Sequence, residues 1–422
     1  MHNRRPWHAV SCPAGSYGWL PFIAVAILFF IIGFVTWLNG PLISFMKIAF
    51  SLDDISAFLV PFIFYLSYFL FAIPASKIIT RKGLRQSLIY ALSIMIMGML
   101  VTAQFIKSLS YPGALFGFLI LGSGLALLQV AVNPYVSFLG PANRAAQRIA
   151  TMGICNKIGG ILAPVTLASL AIPHVEKLEF TNNLQNSLAL QQKFTSAIYW
   201  PYVGMAALLA LAILYIRLSN LPDIKLSDTK KSITEPYAAT QLPSAVWLGV
   251  MAMFLYVGIE VLAGDAIGTY ASGFQIPVRI SSLFTSATLV CMLCGYLLGL
   301  VCVPRVFSQE RALMLSCIIG FGLSILAYIT HGYVSVACIA LLGFANAMIF
   351  PSLFPTVLKN APNNASFVSA LLVMAYCGGG ILPQCFVWLK TIIGFQAAFS
   401  ALSCLSYIGI SMYILRFSQH TR

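Results

Sequence analysis

The scarcest residues in this chain are the ones that could do chemistry. Of 422 residues only ten are acidic, and eight of those stand in polar stretches or at the ends of apolar runs. The two exceptions, Glu260 and Asp265, share one apolar stretch, YVGIEVLAGD at 256–265. Five residues apart, they are separated by about 140° around a helix and about 7.5 Å along it. Both can therefore border one cavity without facing one partner. A carboxylate in such surroundings costs enough that it marks a site for a proton, a sodium ion or a hydrogen-bonding solute. Glu260, the deeper of the two, is the first candidate for cation coupling and for binding a sugar hydroxyl. Asp265 is the second cation-coupling candidate, nearer the end of its run.

One basic residue is as isolated. Lys157 lies in MGICNKIGG at 152–160, nine residues beyond Arg148 and so about 13 Å further along a helix. At that depth it either snorkels back toward the surface or pairs with an acid, and scarcity makes Glu260 the partner. Uncharged polar groups recur at similar depth. The run TWLNGP at 36–41 combines Trp37, which can stack on a sugar face, with Asn39, which can serve hydroxyls as donor and acceptor. Its Asn-Gly-Pro sequence loosens backbone hydrogen bonding, which is tolerated beside protein or a water-filled cavity. An internal offset of about 221 residues, taken from the repeat described below, relates Asn39 to Glu260. Gln129 and Asn133, four apart, share a helix face, and Asn156 is similarly placed. Amides and aromatics with few charges suit a neutral polyhydroxylated solute.

Other chemistries lack their residues. The five histidines (His2, His8, His174, His331 and His420) fall at ends or in loops, with no Ser/His/Asp or HExxH arrangement, so no catalytic residues, metal ligands or cofactors are assigned. Nine of the ten cysteines lie in apolar runs, where a thiol behaves as a small hydrophobe.

The elements that must carry these residues follow from composition. The chain is 60% hydrophobic and 8% charged, against about 25% charged in soluble domains, so lipid must cover its surface. Apolar runs fall at 20–46, 57–79, 85–106, 111–139, 147–171 and 199–218, and again at 244–271, 281–303, 311–329, 332–358, 366–389 and 394–416. Each is long enough to cross a bilayer as a helix, and none alternates as a barrel strand would. The expected fold is all-α, a polytopic membrane protein of twelve transmembrane helices. The run near the N-terminus exceeds a signal-peptide core and lacks its cleavage pattern. The formal charge of +14 is not a nucleic-acid footprint, because Lys and Arg cluster between runs: 17 on one side, 6 on the other, and Lys157 within a span. That asymmetry puts both termini in the cytoplasm.

The polar stretch between the sixth and seventh runs divides the chain into an N-terminal half (1–218), a cytoplasmic linker (219–243) and a C-terminal half (244–422). A weak repeat relates the halves: GGILAP at 159–164 returns as GGILP at 379–383, each after a helix carrying Pro134 or Pro351. Parallel six-helix repeats with a solute site between them are a known transporter architecture.

Several longer stretches carry a family resemblance. TWLNGPLISFMKIAF at 36–50, FLVPFIFYLSYFLFAIPAS at 58–76, GSGLALLQVAVNPYVSFLGP at 122–141, AAQRIATMGICNKIGGILAP at 145–164 and FLYVGIEVLAGDAIGTYAS at 254–272 resemble the fucose:proton symporter family of major facilitator transporters, in its glucose/galactose branch. The resemblance implies a major facilitator fold and import of a neutral hexose by cation symport, with H⁺ favoured and Na⁺ as alternative. The family's acids just after the Leu-Asn of the first helix and before the Asn-Pro of the fourth are replaced here by Gly40 and Gln129. Glucose/galactose relatives resemble this chain at Glu260, which implies the coupling carboxylate there. The expected partners are the sugar, the cation and the lipid of a bacterial inner membrane, without nucleic acid, around a monomer. Fucose or N-acetylglucosamine are alternative substrates, and export of drugs or metabolites is an alternative activity.

Overall fold

The computed structural model describes residues 19–138, 145–179, 184–218, 242–303, 306, 308–361 and 365–417. Most of 219–243, expected to be a linker, and both chain ends thus lie outside the described residues. In chain order the elements are α1 (Trp19–Thr36), α2 (Asn39–Ala49), α3 (Asp54–Ala57), α4 (Leu59–Lys82), α5 (Leu84–Lys107), α6 (Tyr111–Phe138), α7 (Ala145–Glu179), α8 (Leu184–Leu218) and α9 (Ser244–Asp265). There follow α10 (Ile267–Ser272), α11 (Val278–Ser281), α12 (Phe284–Cys302), α13 (Gln309–Ile329), α14 (Gly332–Asn346), α15 (Ile349–Lys359), α16 (Ala365–Met374), α17 (Gly378–Ile393) and α18 (Phe395–Phe417).

These make twelve helical spans that are long and apolar enough to cross a membrane, in the places expected. Side chains on their outer faces, such as Leu211, Ile318 and Leu405, are exposed, as helices bathed in lipid require. Two elements run further than their apolar stretches: α7 continues to Glu179 and α8 begins at Leu184. Helices can outrun their lipid-buried part because their backbone bonds are satisfied internally.

Ends and breaks have local causes. α4 stops at Gly83 and α17 at Gly394, with φ of 81° and 85°, positive values that glycine, lacking a Cβ, adopts without strain. Arg85, at the start of α5, donates to the last carbonyls of α8, Ile216 O at 3.2 Å and Arg217 O at 2.9 Å, as suits a cation at a helix C-terminus. Besides spans 2 and 8, which open with the short helices α3 and α11, four spans are broken. The first breaks at Trp37–Leu38, where Pro41 removes an amide donor; the seventh at Ala266; the tenth at Ala347–Met348; the eleventh at a 3-10 turn, Ala375–Cys377.

Spans 1 and 5 pack so closely that a Cβ on Gly33 would lie 1.8 Å from Asn156 O, and one on Gly159 2.2 Å from Phe30 O. The same device joins spans 7 and 11, where a Cβ on Gly378 would lie 2.1 Å from Phe254 O. Span 5 also packs on α12, and span 11 on α4. On the face opposite the described ends of the chain, Asp54 accepts from both Lys47 and Lys390, and Gln384 Nε2 donates to Ile55 O at 3.2 Å. Lys390 and Gln384 belong to span 11 and Asp54 to span 2, so these contacts close that face between the two sets of helices.

Candidate functional site

The broken spans and their neighbours line a central cavity of about 110 Å³. Its wall takes Thr36 and Trp37 from span 1, Tyr65 and Tyr68 from α4, and Gln129 and Asn133 from α6. α7 adds Asn156 and Lys157. The other six-helix set adds Tyr256 and Glu260 from α9, Tyr296 from α12, Phe350 from α15 and Tyr376 from the 3-10 turn.

Lys157 does not reach for the membrane surface. Its ammonium donates to Glu260 Oε1 at 2.7 Å, joining α7 to α9 across the cavity, and it lies 4.4 Å from the centroid of the Trp37 ring. Lys157 is 4% exposed and the Glu260 side chain 13%; charges so placed are tolerable because they neutralise each other, and the aromatic face adds a cation–π attraction. Space for the Trp37 ring comes from two glycines: Cβ atoms on Gly160 and Gly264 would lie 2.5 Å and 2.3 Å from it.

The amides are individually placed. Gln129 Nε2 donates to Tyr68 Oη at 3.0 Å, Asn156 Nδ2 donates to Phe29 O at 3.3 Å, and Asn133 lies beside Tyr376. Tyrosines form the rest of the polar wall. Tyr65 and Tyr68 stack with centroids 5.9 Å apart, Tyr68 meets Tyr376 at 5.5 Å, and Tyr376 meets Phe350 at 6.4 Å. This aromatic belt crosses from one set of helices to the other. Rings for stacking, with hydroxyls and amides at their edges, can hold a solute that is apolar on its faces and hydroxylated around its rim.

Of the residues singled out in the sequence, Trp37, Gln129, Asn133, Asn156, Lys157 and Glu260 meet at this cavity. Asn39 and Asp265 do not line it. Both are buried, each 2% exposed. Asn39 is the first residue of α2, just past the break at Trp37–Leu38. The tyrosines of the belt were not anticipated; their signal was a ring with a polar tip in the middle of an apolar run. Among the described residues, no group of three or more His, Cys, Asp or Glu side chains is gathered as a metal site.

Comparison with known proteins agrees with this construction. The family model of the Major Facilitator Superfamily matches residues 22–383. The chain is 29% identical over 417 residues to a protein of Brucella abortus (strain 2308) named glucose/galactose transporter, covering 96% of each. It is 25% identical over 374 residues to the L-fucose-proton symporter of Escherichia coli (strain K12), covering 86% of this chain and 85% of that one. Among solved structures, the fold is similar to that of the E. coli fucose:proton symporter, with a TM-score of 0.75 at 22% identity over 94% of this chain and 98% of the other. A D-xylose-proton symporter superposes with a TM-score of 0.68 at 14% identity, again over 94% and 98%.

Proposed function

The chain belongs to the Major Facilitator Superfamily, and from that premise we propose that it is a secondary active transporter importing a neutral hexose of the glucose/galactose class by proton symport. The observation that carries this reading is the Lys157–Glu260 pair at 2.7 Å, set in a cavity of amides and tyrosines between two sets of six helices. A neutralised pair leaves no net charge to attract an ionic substrate, yet offers a carboxylate acceptor and an ammonium donor to hydroxyl groups. Trp37 and the tyrosine belt supply faces on which a pyranose can stack. The names of the relatives, glucose/galactose transporter and L-fucose-proton symporter, support the same substrate class and the proton.

In this reading, residues 1–218 and 244–422 are two halves joined by 219–243, and they rock about the cavity to expose it to each side in turn. The excess of Lys and Arg on the side of the termini supports a cytoplasmic location for both ends, in a bacterial inner membrane. A single chain holds the whole cavity, which supports a monomer. Glu260 and Asp265 are the carboxylates available for the coupling ion.

The test is uptake by lipid vesicles containing the purified protein. Labelled glucose, galactose, fucose and N-acetylglucosamine are offered singly, with and without a pH gradient and with and without sodium. Accumulation of glucose or galactose driven by the pH gradient is expected, and Glu260→Gln is expected to abolish it. Failure to accumulate any of the four sugars overturns the substrate class; accumulation that requires sodium and ignores pH overturns the ion.

A further inference from the structure

Asp265 stands outside the cavity and outside the Lys157–Glu260 pair. It is 2% exposed, and among the described residues neither carboxylate oxygen meets a hydrogen-bond donor. The backbone of Gly40 approaches without completing a bond. The nearby Thr285 hydroxyl is committed elsewhere, donating to Gly264 O at 2.8 Å. One turn along α12, Thr288 likewise donates to Ala263 O at 3.2 Å.

The position joins two helix breaks from opposite sets of helices. Asp265 is the last residue of α9, immediately before the break at Ala266, and Gly40 is in the first turn of α2, just past the break at Trp37–Leu38. A Cβ on Gly40 would lie 3.0 Å from Asp265 Oδ1 and 2.5 Å from Thr285 Oγ1. The carboxylate is thus pressed into the contact between the sets, on the half of the membrane away from the termini. The charged groups that act on it are Glu260, five residues earlier on α9, and Lys157 on α7; Tyr65 on α4 is the other titratable neighbour.

An ionised carboxylate here would give up its hydration and receive no donor in exchange, which is among the most unfavourable burials a protein can make. A neutral carboxyl gives up far less. Closing the two breaks onto Asp265 is therefore tied to a proton on it, and opening them restores water and allows the charge.

We propose that Asp265 is the proton-carrying residue of the transport cycle, loaded while the face opposite the termini is open and sealed in as that face closes. Glu260, held by Lys157, serves the sugar instead. In loading, one O–H bond forms on a carboxylate oxygen as a hydronium ion gives up its proton; in release that O–H bond breaks and the proton passes to water of the cavity, once the Trp37 ring that lies over Gly264 has turned aside. Trp37 connects the two sites. Its face carries Lys157 at 4.4 Å, and its ring edge fills the space over Gly264, the residue before Asp265. A sugar that reorients the ring therefore changes the packing around the proton site. This division of labour rests on the symport reading above.

Two measurements on the full-length protein test it. In lipid vesicles, wild type is expected to take up protons when galactose is added and to accumulate labelled galactose under a pH gradient. Asp265→Asn is expected to lose both at least tenfold while still exchanging labelled for unlabelled galactose. Accumulation by Asp265→Asn at the wild-type level overturns the proposal, and so does a wild-type dependence on sodium in place of protons. Independently of any sugar, the infrared spectrum of the purified protein at neutral pH is expected to show the carbonyl stretch of a protonated carboxyl group. That band should vanish in Asp265→Asn and persist in Glu260→Gln. A band that survives Asp265→Asn, or that is absent from wild type, overturns the proposal even if the protein proves to carry no hexose. Loss of sugar transport in wild type with the band assigned to Asp265 would instead overturn the substrate and leave the proton site standing. A well-folded Glu260→Gln keeps the infrared test decisive if Asp265→Asn does not fold.

Discussion

Removing one member of the Lys157–Glu260 pair leaves the other charge buried without its counterpart, which costs about 3–5 kcal/mol. Lys157→Met and Glu260→Gln are each expected to lower the melting temperature of the purified protein, and the double variant to melt nearer to wild type than either. Additive losses in the double variant would show that the two charges are not energetically coupled. This contact was legible from scarcity: a mid-span lysine needs an acid, and the chain offers few. Asp265 was legible as a polar residue in an apolar run, but its setting was not. Sequence spacing puts it near Glu260 along one helix; only the fold brings it against Gly40 on another. The tyrosine belt was less legible still, because a tyrosine buried for packing and one lining a cavity occupy apolar runs in the same way.

At the scale of the helices, glycine decides which pairs can touch. Gly33 lies on Asn156 O with no room for a Cβ, whereas Gly204 has no neighbour within 4 Å of where one would stand. Gly33→Ala is expected to separate spans 1 and 5, displace Asn156 and Lys157, and abolish transport while lowering the melting temperature. Gly204→Ala is expected to leave melting unchanged or raise it, since alanine favours a helix by up to about 1 kcal/mol over glycine. Thermal melting of both variants in detergent checks the contrast, and an undisturbed Gly33→Ala would contradict the packing. The twelve spans themselves were readable from apolar length, because nothing but lipid can cover such runs. Their breaks were readable only in part. Asn39-Gly40-Pro41 announces the first, and Pro351, four residues past Ala347 as Pro41 is past Trp37, announces the tenth by removing the same kind of amide donor; the break at Ala266 has no such proline and depends on what packs beside it. Thr285 and Thr288 on α12, which take up the carbonyls of Gly264 and Ala263, are far from α9 in sequence.

For the molecule as a whole, the contacts between the two sets of helices set which face is open. Asp54 accepts from Lys47 and Lys390, and its carboxylate is about one-fifth exposed, so the cluster is held by charge yet within reach of water. Asp54→Asn is expected to weaken closure of the face opposite the termini. The measurement is reaction of a cysteine introduced at Val261, in the cavity wall, with a membrane-impermeant maleimide applied from that face. A rate several-fold above that of the same cysteine in the Asp54 background is expected, and an equal rate would show that the cluster does not hold the face shut.

The glycine contacts also have a mechanical meaning. Inside each set of six helices some of them bring backbone against backbone, Gly33 on Asn156, Gly159 on Phe30, Gly378 on Phe254 and Gly343 on Thr288, while others, such as Gly113, Gly273 and Gly320, meet the rings of Phe105, Phe395 and Tyr407. Across the seam, Gly153, Gly264 and Gly379 approach the side chains of Tyr296, Trp37 and Tyr65, Gly40 approaches Thr285 and Asp265, and Gly380 lies against the Phe62 backbone. Backbones in contact cannot slide without breaking helices, whereas aromatic rings can turn. Backbone contacts such as Gly33 on Asn156 thus resist sliding within a set, while at the seam Trp37, Tyr65 and Tyr296 give places where the sets can part by turning rings, the same rings that would grip the cargo.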